Sequence, residues 1–401
     1  MIVLLINTVI YGSTGQICKD IAHALEKNGE EGYIAFGQGS SDFKKSYKIG
    51  TKIENHLHNA FSRMFGNQGY YSYIGTKKLI KYIQQIKPNV IHLHNLHGNY
   101  LNLKLLFQFL SNANIPVVWT LHDCWAFTGK CAHYSEIGCY KWQTHCSHCP
   151  QLKKYPPSMF FDRSEVMFED KKKWFTSIKN LTLIPVSNWL ANETRRSFLS
   201  QYPIVPIYNW IDQAIYKPTV SNIRKKLRLA ENHFVILGVS AGWPKQSTKL
   251  ADFIKLADKI SNDMQIILVG GKKQIESLPH NIQHLPYVNN QTEMAEIYSM
   301  ADVYVHMSVE DTFGKVIAEA LSCGTPAIVY NSTACPELIG EGCGFVVPIR
   351  DIEGVFNTIR TIKANSKLEY TTQCKSYSND HFNIEKIIAS TIQLYNKVLL
   401  Q

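Results

Sequence analysis

SVEDTFGKVIAEALSCGTP, Ser308–Pro326, lies between two apolar runs, Asp302–Met307 (DVYVHM) and Ala327–Tyr330 (AIVY). That order predicts strand, loop, helix, strand. Asp311 and Glu319 stand eight positions apart and bracket the helix start. Gly314 lets a ligand approach the backbone closely, and the first helical N–H groups point into the loop, where they can hold a phosphate. Glu319, two turns into the helix, offers a carboxylate to ribose hydroxyls. The combination suits a nucleotide diphosphate. An ordinary βαβ crossover with a solvated glutamate is the alternative reading of the same pattern.

Outward from this stretch, apolar runs of strand length alternate with helical patterns twice over. Toward the C-terminus the strands are His233–Ser240, Gln265–Gly270, Ile282–Leu285, Asp302–Met307, Ala327–Tyr330 and Gly344–Pro348, and Ile384–Leu399 reads as a final amphipathic helix. In the first half they are Ile2–Asn7, Gly32–Phe36, Val90–His94, Pro116–Leu121 and Leu181–Val186, with helical stretches such as Gln16–Lys27 and Gly75–Ile86 between them. Pro203, Pro206 and Pro218 punctuate the gap between the halves. The expected organisation is an α/β chain with a first Rossmann-like domain over residues 1–200, a second over 201–380, and a helix over 381–401 packing back on the first. Alternating βα units imply parallel sheets covered on both faces, two such halves forming a cleft, with ligands beyond the carboxyl ends of the strands.

With 401 residues, 45% apolar and 18% charged, the composition is that of an ordinary globular protein. No apolar run approaches the ~20 residues a membrane span needs. The N-terminal MIVLLINTVIYG reads as a first buried strand, not a signal peptide, which places the chain in the cytoplasm by default. The net charge of +10 sits in one half: residues 1–200 carry 23 Lys+Arg against 13 Asp+Glu, and residues 201–401 carry 19 of each. A basic half suggests an anionic partner, such as a membrane surface or a phosphorylated acceptor, or else a merely solvated basic surface. The scattered basic residues carry no nucleic-acid-binding motif, so nucleic acid is not an expected partner.

Other stretches supply candidate chemistry. The first βα turn, Thr8–Cys18, places Gly12 and Gly15 around a helix start, where small residues admit a diphosphate or a sugar, or form a plain tight turn. His92 and His94 share one strand face and read as core histidines before a metal pair. His122 ends the next strand, where an imidazole could bond a sugar hydroxyl or share a proton, or be a loop histidine capped by Asp123. Lys245 and Lys249 follow the first strand of the second half and could neutralise a diphosphate, or be surface lysines. The absence of an Asp-x-Asp pair argues against metal-bridged diphosphate binding of that style. Five of the ten cysteines fall within Cys124–Cys149, inside an insertion at about residues 124–157. Cys131, Cys139, Cys146 and Cys149 have the spacing C-x7-C-x6-C-x2-C. Their number and C-x-x-C end fit a closed tetrahedral structural zinc site, with reduced free thiols as the alternative.

Together these pieces resemble the retaining glycosyltransferases of family four, which have the GT-B fold. Asp311–Glu319 resembles their E-x7-E element, followed by an A-x-x-C-G-x-P tail in Ala320–Pro326. Asn209–Pro218 resembles their N-G-I-D-x-x-x-F-x-P linker, and Pro336-Glu337 with Gly344–Pro348 their later P-E and G-x-hydrophobic-hydrophobic-P pattern. The first half, with HLHNLHG and TLHDCWAFTGKC, is similar to colanic-acid and capsular polysaccharide transferases. The resemblance implies a retaining, hexosyltransferase-type enzyme that moves a sugar from a nucleotide-sugar, UDP- or GDP-linked, to a glycan or lipid-linked glycan, in peripheral contact with the inner membrane face. It implies that Glu319 holds the ribose and that Asp311, with the backbone of Phe313, Gly314 and Lys315, faces the donor sugar and phosphates. His122 would meet the donor sugar, Gly15 would line the diphosphate, and no cofactor or metal is needed for the chemistry. Three departures stand out: Asp311 replaces the usual first glutamate, Trp210 stands where the linker has glycine, and Gly242 and Thr248 fall near the positions of the usual Arg and Lys, leaving Lys245 or Lys249 to supply the charge. A sugar-nucleotide epimerase of the same fold, or a nucleotide- or glycan-binding protein without catalysis, is the alternative.

Overall fold

The computed structural model describes residues 1–400. The chain divides into two compact units, one of residues 1–207 together with the segment from Ile388 onward, the other Tyr208–Ile387. The break thus falls after Ile207 rather than at the expected residue 200.

The first unit contains strands β1 (Ile2–Val9), β2 (Glu31–Gln38), β3 (Ser46–Lys48), β4 (Val90–Leu93), β5 (Val117–Leu121) and β6 (Leu181–Pro185), and helices α1 (Gly12–Lys27), α2 (Lys52–Phe65), α3 (Tyr73–Ile86), α4 (Leu103–Asn112), α5 (Ser164–Phe175) and α6 (Asn188–Arg195). The strands form one parallel sheet in the order β3-β2-β1-β4-β5-β6. β4, β5 and β6 are buried at every residue; for the internal β4 and β5 that is what a parallel strand requires when helices cover both faces. The Cys-rich insertion between β5 and α5 holds, as regular structure, a single 3-10 turn at Lys141–Gln143.

The second unit contains β7 (Phe234–Val239), β8 (Met264–Val269), β9 (Ile282–Leu285), β10 (Val303–His306), β11 (Ala327–Tyr330) and β12 (Gly344–Val347), with α7 (Ile223–Lys226), α8 (Thr248–Ala257), α9 (Gln291–Met300), α10 (Lys315–Ser322), α11 (Ile352–Asn365) and α12 (Leu368–His381). Its parallel sheet runs β12-β11-β10-β7-β8-β9. The last helix, α13 (Ile384–Leu399), belongs to the first unit from Ile388 on, where the Tyr395 hydroxyl lies 2.6 Å from His92 Nδ1.

In each sheet the strand order reverses once, between β1 and β4 in the first and between β7 and β10 in the second. Crevices for ligands open at such reversals, beyond the carboxyl ends of the strands.

Candidate active site

In the second unit the reversal point gathers the residues around Ser308–Pro326. β10 ends at His306, whose Nε2 lies 2.9 Å from Asp311 Oδ2 and whose Nδ1 lies 2.8 Å from the Tyr304 hydroxyl. Asp311 is half-buried and its backbone N–H donates to Thr333 Oγ1. Burial alone would raise its carboxyl, but the charge of His306 and the hydrogen bond to it outweigh that and hold it at about 2. Lys249, in the first turn of α8, adds its positive charge to the same carboxylate.

Gly314 caps α10 with φ of +89°, a left-handed conformation natural to glycine, and turns the chain so that the helix begins at Lys315. One turn on, Glu319 is buried. Burial raises its carboxyl above the usual range, opposed by the Lys315 charge and by hydroxyls of Tyr298 and Tyr216. The Tyr298 hydroxyl donates to Glu319 Oε2 at 3.0 Å. Burial raises the Tyr304 hydroxyl well above its ordinary range, and the charges of Asp311 and Glu319 both add to the rise. The arrangement is two fixed carboxylates, two lysines and a helix N-terminus, which together can grip hydroxyls and an anionic group.

Among the described residues, His306, Asp311 and Cys335 are the one His/Cys/Asp/Glu trio offering ligand atoms within 4.8 Å of one another. Both nitrogens of His306 already have partners, so the trio fixes a carboxylate rather than leaving an open metal cradle.

The other anticipated residues are distributed differently. Phe313 is core: its ring packs against Tyr208 and Phe382 at centroid distances of 5.7 and 5.8 Å. Lys245 is 75% exposed and pairs with Glu276 at 3.7 Å, whereas Lys249 is the lysine near Asp311. In the first unit, Gly15 faces no open space. A Cβ there would sit 2.4 Å from the Ile10 carbonyl carbon, so the residue is glycine to let α1 pack on the end of β1. Gly12 is the glycine of that turn with nothing within 4 Å of a Cβ position. His122 continues a buried row: its Nε2 lies 3.0 Å from His94 Nδ1, while His92 bonds Tyr395 and Thr120. Burial lowers His122 to about 4, against the charge of Asp123, so its imidazole is neutral at pH 7. Asp123 itself is held by two other partners: its Oδ2 lies 2.8 Å from His97 Nε2 and its Oδ1 accepts from the Trp125 N–H. His306, Tyr298, Tyr216 and His97 are site-shaping residues that sequence reading passed over. The one signal was His306 at the end of an otherwise apolar strand.

The first unit also holds a cavity of about 690 Å³ at the carboxyl ends of β1 and β2. Thr8, Tyr11, Gln38 and Tyr155 line it, and α2 contributes Lys52, Asn55, His56 and Asn59. The opposite face of α2 is unusual. Its buried residues are the polar His58 and Ser62, while Ile53, Leu57, Phe61, Met64 and Phe65 are exposed.

Residues 14–214 match the family model described as Glycosyltransferase Family 4, and residues 219–381 the model described as Glycosyl transferases group 1. A putative colanic acid biosynthesis glycosyl transferase, WcaC of Escherichia coli, is 27% identical over 277 residues, 66% of this chain and 65% of that protein, so the match spans less than two thirds of the relative. A sucrose-phosphate synthase of Thermosynechococcus elongatus superposes with a TM-score of 0.71 at 18% identity over all of both chains. Anabaena HepE in complex with UDP superposes at 0.68 and 15% identity, over 99% of this chain and 100% of that one. Two parallel six-stranded sheets, this likeness of fold and a family model that spans just over half of the sequence agree: the chain belongs to the glycosyltransferases of family 4, with the GT-B fold.

Proposed function

We propose that the protein transfers a hexose, with retention of anomeric configuration, from a UDP- or GDP-sugar to a lipid-linked glycan during synthesis of a capsular or extracellular polysaccharide. One observation carries this reading: the carboxylates of Asp311 and Glu319, fixed by His306 and Tyr298, lie on the two sides of the α10 N-terminus. Glu319 takes the ribose hydroxyls and Asp311 the donor sugar. Lys249, Lys315 and the helix N-terminus offset the charge of the leaving diphosphate, a role that needs no metal. The anomeric carbon–oxygen bond breaks with its electron pair on the diphosphate. The acceptor oxygen bonds that carbon on the same face, and its proton passes to the leaving phosphate.

The acceptor side rests on the first unit. Its cavity sets Lys48, Lys52 and His56 beside Tyr11 and Tyr155, a lining suited to a sugar with an attached phosphate. The outward apolar stripe of α2, in the half that carries all the net charge, suits a helix lying in the surface of an anionic membrane. Among the described residues no helix is long and apolar enough to cross a membrane, so contact of this kind would be peripheral.

The test is transfer of labelled sugar from a panel of nucleotide-sugars to undecaprenyl-diphosphate-linked glycans, wild type beside Asp311→Asn. Labelled lipid-linked product from wild type alone supports the reading. Conversion of the donor to an epimer without acceptor, or no turnover of any donor, contradicts it.

A further inference from the structure

The insertion at residues 124–157 belongs to the first unit. Its cysteines Cys131, Cys139, Cys146 and Cys149 are half-buried free thiols, and among the described residues no three of their sulfurs lie within 4.8 Å of one another, so they do not close a metal cage. What the insertion does deliver is Tyr155, near its far end, to the wall of the cavity of about 690 Å³ in that unit.

A chain of contacts fixes Tyr155 there. Its hydroxyl lies 2.7 Å from His97 Nδ1, and His97 Nε2 lies 2.8 Å from Asp123 Oδ2. Asp123 is held in turn, because its Oδ1 accepts from the Trp125 N–H at 2.9 Å. The buried Trp125 ring packs 5.5 Å from that of His97. The backbone beside His97 is equally constrained. The His97 carbonyl accepts from the Thr8 hydroxyl, and Gly98, with φ of +119°, lies so close to Thr8 that a Cβ would sit 2.3 Å from its Cγ2. Thr8, His97 and Asp123 come from the carboxyl ends of β1, β4 and β5, which are neighbours in the sheet. The support for Tyr155 is thus the sheet itself, although the tyrosine is on an irregular loop.

Burial raises the Tyr155 hydroxyl to about 12, so that end stays protonated at its partners. The residue is nonetheless 52% exposed. Tied down by its hydroxyl, it presents its ring to the cavity. A second exposed ring, Tyr11, rests on Gly39, where a Cβ would sit 2.7 Å from Tyr11 Cε1. Between them the lining holds the amides of Asn55 and Asn59, and it holds Lys48, Lys52 and His56 with no carboxylate. We infer that Tyr155 is the platform on which a pyranose ring of the acceptor stacks, with His97 and Asp123 as its positioning residues. This rests on reading the first unit as the acceptor side. A ring already held in place stacks on the C–H face of a sugar with little left to order, the amides take hydroxyls, and the uncompensated cations suit a sugar that carries a phosphate.

The test is saturation-transfer NMR of the full chain with the 1-phosphates of glucose, galactose, mannose and N-acetylglucosamine, with UDP and GDP present to fill the donor site. At least one sugar phosphate should bind wild type. Tyr155→Ala should weaken that binding about tenfold, and Tyr155→Phe, which keeps the ring, by less than about threefold. His97→Gln should weaken it about threefold, and adding it to Tyr155→Ala should cost nothing more, because it acts through that ring. In the transfer assay, Tyr155→Ala should raise the acceptor KM about tenfold and leave the donor KM within about twofold. Equal binding to wild type and Tyr155→Ala, or no binding of any of the four to wild type, overturns the inference. So does a Tyr155→Phe that is as weak as Tyr155→Ala, or a donor KM that rises as much as the acceptor KM. Binding that depends on Tyr155 in a protein that transfers no sugar supports the platform and contradicts the proposed reaction, so the two failures are distinguishable.

Discussion

The His306 imidazole bridges the Tyr304 hydroxyl and the Asp311 carboxylate, at 2.8 and 2.9 Å. Both ring nitrogens of His306 thus have partners, Nδ1 at the Tyr304 hydroxyl and Nε2 at the carboxylate, and the carboxylate is fixed. Asp311 is thereby ionised throughout the physiological range, and its role is to accept hydrogen bonds, not to transfer a proton.

The pH dependence of stability follows from the same pair. The Asp311 carboxyl drops from 3.8 to about 2 in the folded protein, so its stabilisation is fully present above pH 4 and is lost as pH falls through 2. The shift is worth roughly 2 kcal/mol. The stability gap between wild type and Asp311→Asn should therefore shrink as melting is followed from pH 5 down to pH 2. His306→Gln should shift acid lability upward. A gap that stays constant over this range is evidence against the pairing.

Glu319 separates stability from binding. Burial raises its carboxyl, so the ionised form is disfavoured in the fold, and this cost is relieved as pH falls toward the folded pKa. Glu319→Gln removes the charge and keeps an acceptor for Tyr298. At pH 7 it should melt no lower than wild type, yet lose sugar transfer by at least 100-fold. A variant that melts well below wild type points to a structural role instead.

Lys249 and Lys245 should differ in donor affinity. Lys249→Ala removes a charge next to Asp311 and should weaken nucleotide diphosphate binding about tenfold, or roughly 1.4 kcal/mol. Lys245→Ala, at an exposed pair of the kind worth little, should change it by less than about twofold. Calorimetric titration of both variants checks the order.

The outward face of α2 gives a fourth test. Replacing Leu57 and Phe61 by Glu removes two apolar groups worth roughly 1.5–3 kcal/mol each on full burial. Flotation with anionic liposomes should fall more than tenfold, while melting stays within about 0.5 kcal/mol of wild type, because both side chains are exposed. Equal flotation of variant and wild type removes α2 from the membrane contact.

Much of this was legible in the sequence where burial and periodicity coincide. Ile282–Leu285, Ala327–Tyr330 and Ile384–Leu399 match their observed bounds to the residue: Ala327–Tyr330 is an apolar run buried throughout, as in a covered parallel strand, and Ile384–Leu399 carries a helical apolar period. Ser46–Lys48 was not legible, because a three-residue edge strand has no buried pattern. The site was legible in its carboxylates and not in what holds them. Nothing in the sequence pairs His306 with Asp311, Tyr298 with Glu319 or Asp123 with His97, since these partners are set by turns and strand register. Gly15 and Gly12 look alike in sequence and differ only in whether Ile10 fills the space beside them. The α2 pattern is the same whether its apolar stripe faces the core or the solvent, and only packing shows that it faces out.

Calorimetric titration with UDP, GDP, ADP and dTDP, on wild type and Glu319→Gln side by side, tests the central claim most directly. One nucleotide, UDP or GDP, should bind wild type, and the substitution should remove that binding while the protein stays folded. Equal binding to both proteins, or no binding of any nucleotide to wild type, would contradict the placement of the donor at Asp311 and Glu319.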